Sequence, residues 1–272
     1  MLTSLRKIWY SEESPLARRT KQFIAVLLPR PVLIAIKKRY YLRLLRSTQV
    51  PREDDMKALE HLLRLGDFAL DVGAFVGFYA QRLAQLVGPA GEVWSFEPVP
   101  ETFAVLSYAV KCLPLSNVRV FPYALSDADG PAHMEIPHYH GGGETLYDAR
   151  ITPDGSARNL RTVEIQRRTL DSLLAELPPR PLSFMKVDVE FHELHTIRGA
   201  LATIRRDHPA LLIEVLRSPE EPGEQRDLMT LLVQEGYSPF RFDGKKFFPR
   251  AVGDKSQNLF FLTATHLQKV PL

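Results

Sequence analysis

The stretch Phe68-Ala-Leu-Asp-Val-Gly-Ala-Phe-Val-Gly-Phe-Tyr79 decides the fold of this chain. Its first half, Phe68 to Val72, is a short apolar run of the kind that forms a strand buried on both faces. Gly73 and Gly77 follow, and the segment from Tyr79 to Val87 has apolar residues at helical spacing. The pattern predicts a strand, a glycine turn and a helix, with a ligand approaching the backbone at the helix N-terminus.

A carboxylate at the end of a second predicted strand strengthens this interpretation. The strand Glu92-Val-Trp-Ser-Phe-Glu97 ends twenty residues beyond Gly77. In nucleotide-binding α/β folds such a carboxylate accepts hydrogen bonds from ribose hydroxyls; a solvated strand-end acid is the alternative. The glycine loop reads Asp-x-Gly-x-x-x-Gly, not the Gly-x-Gly-x-x-Gly of dinucleotide-binding dehydrogenases. That difference favours S-adenosylmethionine over NAD as the cofactor.

Composition indicates a globular protein with an unusual charge distribution. The 272 residues are 45% hydrophobic and 25% charged, ordinary values for a soluble globular chain. A single cysteine, Cys112, excludes an internal disulfide, so we expect a cytoplasmic protein. Residues 1–52 hold 12 basic and 2 acidic residues, whereas the remainder holds 23 basic and 30 acidic ones. A basic arm on a mildly acidic domain suggests an anionic neighbour.

The basic arm, residues 1–55, is predicted to be helical and amphipathic, and residues 56–272 to form the catalytic domain. Its apolar segments, Phe23 to Leu28 and Val32 to Ile36, are each too short to span a bilayer. No secretory signal is expected, because the apolar part starts late and lacks a cleavage site. The helix Lys37 to Arg46 could lie on an anionic membrane surface, making the protein peripheral to the membrane. A helical cap over the domain is the alternative, and nucleic-acid binding is not expected.

Strands and helices then alternate with short links, which predicts a doubly wound, mostly parallel sheet of seven strands. Val118 to Leu125 reads as the third strand, and Tyr237 to Phe242 with Asn258 to Thr263 as a final strand pair. Class I methyltransferases have such a Rossmann-like sheet with a C-terminal hairpin. Ligands bind at the carboxyl ends of parallel strands, where three acids fall: Asp71, Glu97 and Asp127.

A second informative stretch, Leu182-Ser-Phe-Met-Lys-Val-Asp-Val-Glu-Phe-His-Glu193, carries charge on a predicted buried strand. Charges on such a strand are costly unless they are paired or used. A Lys186 ion pair with Asp188 or Glu190 is the structural explanation. The functional one places Asp188, Glu190 and His192 at the strand end, where a base could take a proton from an acceptor hydroxyl. Asp188 is the first choice for that base.

Further polar residues could line the same crevice. Glu214 interrupts the next apolar strand, and His138 and His140 lie beside three consecutive glycines. A divalent ion on Asp188 and Glu190 is an alternative use of those carboxylates, but the motif does not require a metal.

Five blocks between Phe68 and Thr263 resemble the FkbM family of S-adenosylmethionine-dependent methyltransferases. They are Asp71 to Gly77 with Tyr79, Phe96-Glu-Pro98, Ala124 to Asp127 with Gly130, Thr169-Leu-Asp171, and Met185 to Glu193. The resemblance implies that the loop containing Asp71, Gly73, Ala74 and Gly77 holds the methionine part of the cofactor. It also implies that Glu97 binds the ribose, and that Ser126 and Asp127 lie near the adenine.

Members of the family methylate hydroxyl groups, often on sugars, glycolipids or secondary metabolites. The resemblance therefore implies an O-methyltransferase with a small-molecule or glycolipid acceptor. The family pattern favours Asn at position 75 and Gly at position 191, where this chain has phenylalanine. Both changes could reshape the acceptor pocket or weaken cofactor binding. A cofactor-binding scaffold without catalysis, or an NAD-dependent oxidoreductase, are the alternative functions.

Overall fold

The computed structural model describes residues 28–47, 54–137, 149–152, 161–254 and 256–272. The helices are α1 (Arg30–Arg46), α2 (Asp54–Leu62), α3 (Phe78–Val87), α4 (Pro100–Cys112), α5 (Leu170–Ala175), α6 (Glu193–Arg198), α7 (Leu201–Asp207), α8 (Glu224–Gln234) and α9 (Ala264–Leu267). The strands are β1 (Phe68–Val72), β2 (Glu92–Phe96), β3 (Val118–Phe121), β4 (Tyr123–Leu125), β5 (Gly130–Ile136), β6 (Arg150–Thr152), β7 (Arg161–Arg168), β8 (Phe184–Val187), β9 (Ala210–Glu214), β10 (Ser238–Phe242), β11 (Phe247–Pro249) and β12 (Asn258–Leu262).

The main sheet has the strand order β11-β10-β12-β9-β8-β1-β2-β3. Strands β3, β2, β1, β8 and β9 pair in parallel, whereas β9–β12, β12–β10 and β10–β11 are antiparallel pairs. The mostly parallel sheet is therefore confirmed, but it has eight strands where the sequence predicts seven. The additional strand is the three-residue β11, which pairs with β10 at the sheet edge. The chain order reverses at β1, between β2 and β8, and ligands bind at such a switch point.

Hydrophobic cores lie on both faces of the sheet. All five residues of β1 are buried, as expected for a central strand covered on both sides. On one face Phe68 and Leu70 pack with residues of α5 to α8, including Leu194 and Leu232. On the other face Ala69 packs with residues of α2 and α3. This arrangement is the predicted doubly wound α/β architecture.

A second, four-stranded sheet has the order β4-β7-β5-β6. The sequence predicts one strand from Val118 to Leu125, and this is wrong, because the chain leaves the main sheet at Pro122. Proline has no N–H to donate to a ladder, so the strand breaks there. The new strand β4 pairs with β7 instead. The second sheet has its own small core around Met134, Ile136 and Ile165.

Between residues 28 and 47, the N-terminal arm forms one helix, α1, which contains both the apolar segment Val32 to Ile36 and the basic segment Lys37 to Arg46. Leu42 and Leu45 are buried. The Arg46 guanidinium donates to the carbonyl of Cys112 at 3.1 Å, and the Gln81 amide donates to the carbonyl of Leu45 at 3.2 Å. Helix α1 thus packs over α4 and α3. Among the described residues, no helix has the length and apolar content to cross a bilayer.

Candidate active site

A crevice opens at the carboxyl ends of β1, β2 and β8. The main sheet contributes the polar side chains, and the second sheet contributes an apolar wall. The lining residues used below are Asp71, Gly73, Ala74, Phe75, Glu97, Tyr123, Met134, Ala149, Ile151, Lys186, Asp188, Glu190 and His192. The structure therefore brings together the catalytic candidates and most of the cofactor candidates.

The glycine loop lies directly against the end of β8. Gly73 has a φ of +78°, and a Cβ added there would lie 1.9 Å from the carbonyl oxygen of Asp188. No other residue fits, both because of the φ and because the two backbones touch. The amides of Gly73 and Ala74 donate to the carbonyl of Phe96 at 3.1 and 2.9 Å. Gly77, with a φ of 100°, then begins α3. The loop is fixed between the two strands that flank β1.

Glu97 is held by backbone amides on the β2 side of the crevice. Its two carboxylate oxygens accept hydrogen bonds from the N–H of Phe75 at 3.0 Å and from the N–H of Val99 at 2.9 Å. Burial raises the pKa of Glu97 to about 8. A carboxylate has about four acceptor positions, so two remain for ribose hydroxyls. Together with the glycine loop, whose residues Gly73 and Ala74 line the same crevice, this arrangement fits S-adenosylmethionine.

On the β8 side, Asp188 is paired with a buried lysine. Lys186 Nζ lies 3.0 Å from the Asp188 carboxylate, 3.9 Å from Asp71 and 4.8 Å from the centre of the Tyr79 ring. The ion pair offered above as the structural explanation is therefore present, and Asp188 also lines the crevice. Burial raises the pKa of Asp188, but the Lys186 charge and hydrogen bonds from Glu214 and Lys186 bring it below its ordinary value. Asp188 is thus ionised at neutral pH.

Three carboxylates cluster at this end of the sheet. Oxygen atoms of Asp188, Glu190 and Glu214 lie within 4.8 Å of one another. Burial, followed by the charge of Asp188, raises the pKa of Glu214 to about 10. Glu214 is therefore a neutral acid that donates a hydrogen bond to Asp188. Among the described residues, this is the group whose oxygens could hold a divalent ion in place of that proton.

His192 forms its contacts on the side of β4. Its Nε2 lies 2.9 Å from Ser126 Oγ, and its ring stacks on His195 with centroids 4.6 Å apart. His195 Nδ1 in turn lies 2.7 Å from the Asp127 carboxylate. Burial lowers the pKa of His192 to about 4, so the ring is neutral at physiological pH. His192 therefore belongs with the two predicted adenine-side residues, although it lines the same crevice as Asp188.

Sequence reasoning missed several members of this site. No sequence pattern above indicates His195, although its spacing of three from His192 at a helix start places both rings on one face. The apolar wall of Met134, Ala149 and Ile151 was missed because it depends on the second sheet. His138 and His140 lie outside the described residues.

The two departures from the family pattern share one backbone conformation. Phe75 has a φ of 51° and Phe191 a φ of 69°, both in the left-handed region that Asn and Gly adopt most readily. The Phe75 ring packs edge-on against Tyr41 of α1, with centroids 5.7 Å apart. The Arg217 guanidinium lies 5.0 Å from the centre of the Phe191 ring. Each strained phenylalanine therefore has an aromatic or cationic partner.

Comparison with known proteins identifies the family of this chain. The methyltransferase FkbM domain matches residues 71–239. A protein-L-isoaspartate O-methyltransferase of Ignicoccus hospitalis is 41% identical over 58 residues, which are 21% of this chain and 28% of that enzyme. The chain therefore matches less than a third of the length of that relative.

Solved structures that are similar to this chain share less of its sequence. The FkbM methyltransferase of Methylobacillus flagellatus KT is 17% identical, with a TM-score of 0.44, over 79% of this chain and 46% of that one. Aeropyrum pernix fibrillarin, solved with natively bound S-adenosyl-L-methionine, is 13% identical, with a TM-score of 0.44, over 77% and 74% of the two chains. Because the family domain covers more than half of its residues, this chain belongs to the FkbM methyltransferase family, and its cofactor is S-adenosylmethionine.

Proposed function

We propose that the protein transfers a methyl group from S-adenosylmethionine to a hydroxyl oxygen of a sugar, a glycolipid or a secondary metabolite. One observation carries this proposal. The Asp188 carboxylate lies in the crevice, 3.0 Å from the Lys186 ammonium, on a backbone that touches the cofactor loop at Gly73. A proton acceptor is thereby fixed beside the cofactor site, as transfer to a hydroxyl requires.

S-adenosylmethionine supplies an electrophilic methyl group on a positively charged sulfur. The acceptor oxygen forms the new C–O bond while the S–C bond breaks, and the electron pair of that bond returns to sulfur. The hydroxyl proton passes to Asp188 and then to solvent. The products are a methyl ether, S-adenosylhomocysteine and a proton.

Asp188 is a weak base, and this chemistry needs no stronger one. As the C–O bond forms, positive charge develops on the acceptor oxygen, and its proton becomes strongly acidic. A carboxylate that stays ionised can therefore orient the hydroxyl in the ground state and accept its proton late in the reaction. Lys186 and the protonated Glu214 hold Asp188 in place, and Glu190 could bind a second polar group of the acceptor.

The remainder of the crevice favours an acceptor with an apolar part. Phe75, Tyr123, Met134 and Ile151 line it, and apolar side chains of this kind exclude water from the reacting groups. Such a wall suits a hydroxyl carried on a lipid or on another largely apolar molecule.

The test combines cofactor binding with a transfer assay on the full chain. Calorimetric titration with S-adenosylhomocysteine is expected to show binding that Glu97→Ala abolishes and Glu176→Ala, at an exposed glutamate, leaves unchanged. A panel of hydroxylated sugars, glycolipids and secondary metabolites is then screened with radiolabelled methyl donor. A labelled methyl ether is the expected product, and exclusive labelling of carboxyl or amine acceptors would contradict O-methylation of a hydroxyl.

A cofactor-binding protein without turnover is the second candidate, and the strained Phe75 in the cofactor loop is the observation that favours it. Phe75→Asn separates the two functions. If Phe75 blocks catalysis, the substitution creates transfer activity that the natural chain lacks on every acceptor of the panel. If the natural chain transfers methyl groups, the variant keeps that activity.

A further inference from the structure

Helix α1 presents an apolar stripe to solvent. Val32, Ile36 and Tyr40 are spaced by four residues and therefore lie on one face of the helix. They expose 42%, 48% and 43% of their surfaces. Ordinary surface helices direct such a stripe towards the core, but in α1 the core-facing residues are Leu42 and Leu45. The stripe therefore needs an explanation other than packing within the described domain.

Basic residues surround the stripe. Six of the seventeen residues of α1 are Lys or Arg, and none is Asp or Glu. Arg39 and Arg43 are exposed next to Tyr40. Helices with an apolar face, a basic flank and no acid bind at the boundary between lipid headgroups and acyl chains, where the charges meet anionic lipids.

Helix α1 is also held against the domain by specific contacts. Lys38 Nζ lies 5.8 Å from the centre of the Tyr108 ring of α4, in addition to the Arg46 and Gln81 hydrogen bonds described above. Tyr41, the residue after the exposed Tyr40, contacts Phe75 in the cofactor loop. A surface that binds α1 would thus lie close to the crevice, because α1 contacts the cofactor loop directly.

We propose that the exposed face of α1 docks on an anionic membrane surface. Val32, Ile36 and Tyr40 enter the interface, and Arg39 and Arg43 contact anionic headgroups. Nucleic acid also attracts basic helices, but it offers no apolar phase for Val32 and Ile36. The docking rests on this surface alone and not on the proposed transfer to hydroxyls, so either can fail without the other.

The apolar part of the proposal is tested by sedimentation with vesicles. The full chain is mixed with vesicles of phosphatidylcholine alone or phosphatidylcholine with phosphatidylglycerol. We expect binding to the mixed vesicles, and Ile36→Glu is expected to weaken it at least about tenfold, since burying that side chain is favourable. The matched control is Val233→Glu, at an apolar residue of α8 that is 53% exposed, and it should bind as the natural chain does.

The electrostatic part is tested by removing charge. Arg39→Gln combined with Arg43→Gln is expected to weaken partitioning into the mixed vesicles by roughly 30-fold, about fivefold for each charge. Lys245→Gln combined with Lys269→Gln removes the same charge from exposed positions outside α1 and should have little effect. Each variant is first checked for unchanged S-adenosylhomocysteine binding, which shows that it is folded.

Three results would overturn the proposal. Equal binding to vesicles with and without phosphatidylglycerol would remove the role of charge. Binding to single-stranded RNA, lost in the arginine variant, without binding to vesicles would assign the face to nucleic acid. A dimer in sedimentation velocity that Ile36→Glu dissociates, again without vesicle binding, would assign it to a second copy of this chain.

Discussion

Glu97, which is buried, and Asp188, which is partly buried, are carboxylates at opposite sides of one crevice, and their electrostatic environments differ. Each follows a strand that pairs directly with β1. Glu97 is held by two backbone amides and its pKa rises to about 8, whereas Asp188 is held by a lysine 3.0 Å away and its pKa falls. At Glu97, hydrogen bonds from neutral amides are too weak to cancel the increase in pKa that burial causes. At Asp188, the full positive charge of Lys186 contributes enough to bring the pKa below its ordinary value.

This difference divides the crevice into two functional halves. On the Glu97 side, the carboxylate gains its missing hydrogen bonds when ribose hydroxyls arrive, so binding and ionisation favour each other. On the Asp188 side, the carboxylate is ionised before any ligand arrives, so it is ready to accept a proton. Four substitutions or conditions test this division.

The largest expected effect comes from removing the charge of the proposed base. Asp188→Asn should lower kcat by about 10²- to 10⁴-fold, because the amide cannot accept the proton. Binding of S-adenosylhomocysteine should change little, since Gly73 contacts the backbone of residue 188 and not its side chain. Single-turnover transfer to the acceptor found in the panel provides the measurement. Loss of cofactor binding with unchanged kcat would reverse the proposed division.

The second effect concerns the cation that distinguishes the two sides. Lys186→Met leaves Asp188 and Asp71 buried without their shared positive charge, and we expect a loss of about 3 kcal/mol in the free energy of unfolding. Lys57→Met is the control, because its pair with Asp54 is about half exposed and should be worth less than about 1 kcal/mol. Urea denaturation measures both. An equal, small effect for the two variants would show that Lys186 does not hold this site together.

The third test uses pH. Because ribose hydroxyls donate to the ionised form of Glu97, affinity for S-adenosylhomocysteine should rise as the pH approaches about 8 and level off above it. Well below that pH, each unit should cost up to about tenfold in affinity. Glu97→Gln cannot ionise and should bind weakly with no such slope. A slope that persists in this variant would come from another group.

The smallest expected effect concerns the turn between β8 and α6, which contains Phe191. Since Phe191 has a φ of 69°, Phe191→Gly should be more stable than Phe191→Ala by about 1 kcal/mol. Thr230, an exposed residue in the interior of α8, provides the control with the opposite sign, because alanine is more stable than glycine there by about 1 kcal/mol. Thermal denaturation of the four variants gives the comparison. The same order at both positions would contradict the left-handed conformation.

The arrangement of the Glu97 side follows from local sequence order, whereas the contacts on the Asp188 side do not. Asp71 to Gly77 and Glu97 belong to one continuous strand, turn, helix and strand unit, so their order along the chain fixes their positions in the crevice. The cluster of Asp188 and Glu214 depends instead on the pairing of β8 with β9, which sets Val187 opposite Ile213. No local pattern contains that register, although both acids were noticed as interruptions of apolar strands.

The second sheet shows a different limit. Val118 to Leu125 is rich in residues that favour strands, and only Pro122 marks the point where the chain leaves the main sheet. The partner that accepts it, β7, begins at Arg161, so the wall of the crevice could not be predicted from neighbouring residues. By contrast, Phe75 and Phe191 were recognised as departures, and their dihedral angles now give the physical reason why the family favours Asn and Gly there.

The contact between Gly73 and the Asp188 carbonyl has an evolutionary consequence. With no side chain between them, the spacing of cofactor loop and base is set by two main chains, and few substitutions can alter it. The apolar wall comes from a separate sheet with its own core, whose side chains can change without disturbing that spacing. We therefore expect relatives of this protein to diverge in acceptor while keeping one reaction, with most of the variation between β4 and β7.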